Sequence, residues 1–144
     1  MKRFPVRWLS LGLAMAGLVA GCAGTSNPNL PPPNGKGVYF VEPANGATVS
    51  SPFVVKFGVV GMGIRPAGEL VSGTGHHHLL VNTGSISGGQ VIPADDAHMH
   101  FGKGQTEAEL KLPPGTYKLT MQFADGYHQS YGKEMRAAIT VTVK

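Results

Sequence analysis

The chain has 144 residues, enough for one ordinary domain and a short leader. Hydrophobic residues make up 42% and charged residues 14%, too apolar for a disordered chain and too short of charge for a coiled coil. The formal charge of +4 is concentrated in Lys2, Arg3 and Arg7; from residue 22 onward nine Lys/Arg face eight Asp/Glu, which gives no electrostatic case for nucleic acid.

The first elements form an address. Met1 to Arg7 is short and positive, Trp8 to Leu18 is apolar and uncharged, and Val19-Ala20-Gly21-Cys22 follows. This is the layout of a bacterial secretion signal. The apolar run is too short to span a ~30 Å hydrocarbon core as a permanent helix. The Val-Ala-Gly-Cys ending resembles the lipobox of bacterial lipoproteins, and the only Cys of the chain stands where that motif needs it. The resemblance implies a signal peptide over 1–21, removed before Cys22, and a Cys22 acylated as the first mature residue. Ala23, where an Asp would imply inner-membrane retention, implies an outer-membrane anchor with the protein facing the periplasm. Ordinary cleavage with an unmodified thiol is the other reading. A lone Cys excludes an intramolecular disulfide and a Cys-rich zinc site. Residues 22–36 continue as a polar, Pro-rich stretch without an apolar period, which predicts a flexible to semi-rigid tether.

Residues 37–144 read as strands separated by Gly, Pro, Asn and Asp. Strand signals fall at 38–41, 47–49, 53–60, 75–82, 97–101, 105–112, 116–123 and 135–143. Alternation puts Phe53, Val55, Phe57 and Val59 on one face, then Tyr117, Leu119, Met121 and Phe123, then Met135, Ala137, Ile139, Val141 and Val143. One buried and one wet face per strand is the mark of antiparallel sheets. Seven or eight such strands predict an all-β domain, an immunoglobulin-like antiparallel β-sandwich without a disulfide, with a small β-barrel as the alternative. The irregular stretches 61–74, 83–96 and 124–134 are the expected sites of function.

All six histidines lie in this domain: His76, His77, His78, His98, His100 and His128. In a strand, residues i and i+2 share a face. His76 and His78 therefore pair on one face and His98 and His100 on another, each pair ~7 Å apart at Cα. Two such pairs on neighbouring strands can converge on one ion, with His128 as an auxiliary ligand. Neutral imidazoles suit copper(II), zinc(II) or nickel(II). A blue-copper site needs a thiolate, which Cys22 does not supply. His77 falls on the opposite face with Leu79 and Val81 and reads as core. Met99, Met121 and Met135 also read as core, and Met62 as a loop residue that could serve as a soft ligand. The competing reading needs no metal: the imidazoles form a hydrogen-bonded cluster, with Asp95, Asp96 and Asp125 as candidate partners.

No catalytic constellation stands out. G-x-S-x-G and H-E-x-x-H are absent, and Gly102-Lys103-Gly104-Gln105-Thr106 lacks the spacing of a phosphate loop and reads as a tight hairpin turn joining two strands. The stretches Gly75 to Asn82, Ile92 to Glu107 (with His98-Met99-His100-Phe101-Gly102-Lys103-Gly104-Gln105-Thr106-Glu107) and Leu112 to Tyr117 resemble a bacterial family, domain of unknown function 4399. The resemblance spans 38–143 and implies a small secreted or periplasmic β-domain, without supplying an activity. Tyr131 stands where some members place a second His. Pro43-Ala44-Asn45-Gly46-Ala47-Thr48-Val49 is similar to the opening of periplasmic copper-resistance carriers, at the level of fold alone. Two functions follow as expectations. One is an envelope lipoprotein that binds a transition-metal ion (copper first, zinc next) through His76, His78, His98, His100 and His128. The other is a structural or interaction module of the envelope. A metalloenzyme is the least supported.

Overall fold

Residues 26–144 are described by a computed structural model. The signal segment and Cys22 lie outside the described residues. Eight strands fall where the alternation predicts them, and a ninth emerges inside the stretch read as irregular. β1 (Gly37–Glu42), β3 (Phe53–Val60) and β7 (Glu107–Leu110) form one antiparallel sheet in the order β1-β3-β7. The second sheet holds β2 (Thr48–Val49), β4 (Gly63–Ile64), β5 (Thr74–Val81), β6 (His98–His100), β8 (Gly115–Ala124) and β9 (Arg136–Val143). Its order is β2-β9-β8-β5-β4, with β6 also paired to β5. β4 and β6 share one edge of β5: Gly63–Ile64 runs parallel to Thr74–Gly75, and β6 runs antiparallel to 78–80. Among the described residues the only helical turn is a short 3-10 segment, Lys133–Met135.

The core lies between the sheets. Phe40, Val55 and Phe57 from the smaller sheet meet Leu79, Leu119, Met121, Phe123, Ile139 and Val141 from the larger. Each such side chain, fully buried, stabilises the fold by about 1.5–3 kcal/mol. The β8 pattern shows the logic. Leu119, Met121 and Phe123 point inward, while Thr120 and Gln122 point to the outer face, yet these two are buried as well. Loops cover that outer face. Ile86 N–H donates to Gln122 Oε1 (3.2 Å), Gln122 Nε2 donates to the Gly132 carbonyl (3.1 Å), and Ser130 Oγ donates to the Ile86 carbonyl (3.0 Å). Leu80 and Ile92 are buried there, apart from the inter-sheet core.

The described part of the proline-rich segment packs against the domain. Asn29 Nδ2 donates to the carbonyls of Phe40 (3.0 Å) and Pro43 (2.9 Å), and its Oδ1 accepts from Asn45 N–H (2.7 Å). Phe40 N–H donates to the Pro28 carbonyl (2.8 Å). The turn at 101–106, read as a link between neighbouring strands, instead carries the chain from the larger sheet to the smaller. Gly104 N–H closes it on the Phe101 carbonyl (3.1 Å).

Candidate metal centre

β5 is buried on both faces, and its alternation sorts three consecutive histidines. His77 points inward with Leu79; its ring lies 5.2 Å from that of Phe57 and 5.0 Å from that of Phe123. Neither of its ring nitrogens has a hydrogen-bond partner. His76 and His78 point to the outer face and are 0% and 2% exposed. β6 sets His100 directly opposite His78 and His98 opposite Leu80. The pairing brings one histidine of the His-x-His pair to the cluster and leaves the other one step along the strand.

The fourth ring arrives from a turn. Asp125 Oδ1 accepts from the N–H groups of Tyr127 and Gln129, each at 2.9 Å. The Asp125 carbonyl accepts from His128 N–H (3.0 Å). His128 adopts φ 66°, a left-handed conformation uncommon for a residue with a Cβ. Neighbours hold the turn from both sides. Ile92 N–H donates to the His128 carbonyl (2.9 Å), and Gly68 N–H donates to the Gly126 carbonyl (2.9 Å). The same 65–69 loop reaches the turn that follows β6, where Ala67 N–H donates to the Gly102 carbonyl (2.8 Å). One loop thus clamps the segments that carry His100 and His128, and the Arg65–Glu69 ion pair braces it.

His76, His78, His100 and His128 each offer one ring nitrogen, and these atoms lie within 4.8 Å of one another. His76 Nε2 stands 3.0 Å from His78 Nε2 and 3.1 Å from His128 Nδ1. Four donors held ~2.0–2.1 Å from one ion stand ~2.9 Å apart in a square-planar set and ~3.3 Å apart in a tetrahedral one. The two contacts at His76 Nε2 lie in that range and all four nitrogens lie within 4.8 Å of one another, so the four histidines could hold a metal ion. Burial first, then the His100 and His128 rings, lower the His76 pKa from 6.5 to about 4. Burial first, then His76 and the other rings, lower His78 to about 2. Burial and His128 also lower His100. Near pH 7 these three imidazoles are neutral, the form that binds metals.

The expected ligand His98 stands outside the cluster. Its Nδ1 pairs with Asp95 Oδ1 at 2.7 Å, and this bond holds the Asp95 carboxyl below its usual range. Of the acids proposed as imidazole partners, only Asp95 bonds a histidine ring; Asp125 spends its hydrogen bonds on backbone. His128, read from sequence as auxiliary, is a full member. Asp125-Gly126 is the turn signal that could have promoted it. Met99 and Met62 pack against the core, as expected for Met99.

The family model described as "Domain of unknown function (DUF4399)" matches residues 55–144, all four clustered histidines included. The chain belongs to this family. The match opens inside β3, so it is shorter than the expected 38–143 and leaves out β1 and β2. No curated protein and no solved structure matches the chain.

Proposed function

We propose that this protein is a cell-envelope lipoprotein whose β-domain binds a copper ion, through His76, His78, His100 and His128, for buffering or delivery. The carrying observation is the pair of contacts at His76 Nε2. An imidazole nitrogen bears either one hydrogen or one lone pair. It cannot form two good hydrogen bonds of the same kind, yet His76 Nε2 has two nitrogen neighbours at 3.0 and 3.1 Å. Lone pairs converging on an ion account for both. Copper is favoured over zinc by the order of divalent affinities for nitrogen donors. The lipid anchor is proposed on the lipobox of residues 19–22. Each ligand is a neutral side chain, so the ion keeps its charge, which suits a carrier that must also release it.

The test is metal analysis of the mature protein purified without an affinity tag, followed by titration with copper and zinc. One equivalent bound tightly at neutral pH, copper ahead of zinc, is expected. No tight binding of either metal returns the histidines to a structural role.

A further inference from the structure

We propose that the cationic groove beneath the proline-rich segment docks the domain onto anionic phospholipid headgroups; this rests on the lipid-anchor reading above. The groove, about 1020 Å³, lies between residues 26–36 and the outer face of β8 and β9. Lys36, Lys118, Lys133 and Arg136 line it, with Glu134 as the one acid. From residue 26 onward the chain carries nine Lys/Arg and eight Asp/Glu. The groove therefore holds four of the nine cations and one of the eight acids, so an almost neutral domain is polarised. None of the four cations is spent on an ion pair among the described residues, where the pairs are Lys56–Glu42, Arg65–Glu69 and His98–Asp95. Arg136 donates instead to Ser85 Oγ.

Chain length argues for the occupant. Ser26 lines the groove, and Cys22 is four residues upstream. At ~3.5 Å per residue the acyl chains enter the bilayer within ~14 Å of the groove. Charges that close to a membrane surface are only partly screened, since the Debye length is ~8 Å at physiological ionic strength. Each Lys or Arg near an anionic bilayer adds roughly fivefold to its affinity. Lipid chains combined with a basic patch are a general route to stable membrane attachment. Docking seats β8 and β9 on headgroups. It sets the histidine centre, on β5 and β6 of the same sheet face, at a fixed height above the bilayer.

The experiment reconstitutes the mature acylated protein into vesicles of phosphatidylcholine alone or of phosphatidylcholine with phosphatidylglycerol, and follows backbone hydrogen exchange. Exchange over 26–40, 116–120 and 133–138 is expected to slow several-fold on the anionic vesicles only, and to recover at about 0.5 M salt, where screening is strong. Lys118→Glu and Lys133→Glu, both at exposed positions, should abolish the protection without changing the thermal transition. Equal exchange on both vesicle types overturns the proposal. The mass of the Cys22 peptide reports the anchor separately. An unmodified Cys22 refutes the anchor, and anionic-specific protection of that unanchored protein would still support the groove.

Discussion

His78 and His100 stand directly opposite each other on β5 and β6, with ring centroids 5.0 Å apart, while His98 on the same face opposes Leu80 and turns to Asp95. This register decides which member of the β6 pair contributes to the centre. Substituting His100→Ala should weaken metal binding by at least the 10–100-fold typical of losing even an outer-shell partner. His98→Ala should leave affinity within about twofold, since its ring meets only a half-exposed carboxylate and surface pairs are worth little. Competition titrations against a chromophoric chelator measure both. Equal losses in the two variants would mean that His98 swings in as a ligand.

Gly102 leaves room for the His100 ring. A Cβ built there would lie 2.2 Å from His100 Cε1 and 2.3 Å from its Nε2. Neither distance is tolerable, so the ring must move. Gly102→Ala is expected to reduce metal affinity at least tenfold, a loss on the scale of a disturbed outer shell, while far-ultraviolet circular dichroism stays unchanged. Unaltered affinity would show that the ring has another productive rotamer.

The strand elements were legible because alternation survives in a two-sheet domain; Phe53–Val60 needed no correction. β4 was not, since Gly63–Ile64 is too short to show a period and exists only through its pairing with Thr74–Gly75. Face alternation also separated His77 from His76 and His78. It could not choose between His98 and His100, because they share a face and only the cross-strand register tells them apart. His128 was undervalued for a related reason. Its place depends on a turn whose hydrogen bonds come from Asp125 and from loops distant in sequence.

Asp125 should therefore act as a positioning residue. Its Oδ1 accepts two backbone N–H groups, and hydrogen bonds to a charged acceptor contribute about 1.5–3 kcal/mol each. Asp125→Ala removes both and releases the turn that holds His128 at φ 66°. The expected result is metal affinity as low as that of His128→Ala, and an electron paramagnetic resonance spectrum of the copper form with one nitrogen fewer. Asp125→Asn keeps an acceptor oxygen and should restore most of the affinity. If Asn fails as completely as Ala, the carboxylate charge matters more than the turn.

His77 gives a prediction about stability and pH. Burial, then the neighbouring His76, lower its pKa from 6.5 to about 4. The unfolded chain titrates near 6.5, so between that pH and about 4 it binds a proton that the folded protein refuses. Stability is then full above pH 6.5 and declines as pH falls to about 4, by about 3 kcal/mol for His77 alone. His76 and His78 shift in the same direction and steepen the loss. Replacing His77 by Leu keeps an apolar side chain of similar volume between Phe57 and Phe123 and removes two buried ring nitrogens without partners. Leaving such groups unsatisfied costs about 1–3 kcal/mol, so His77→Leu should raise the melting temperature at pH 7. It should also flatten the decline between pH 6.5 and 4. Thermal melts of the metal-free protein across that range measure both effects. A lower melting temperature at pH 7 would mean that His77 makes a polar interaction its buried position conceals.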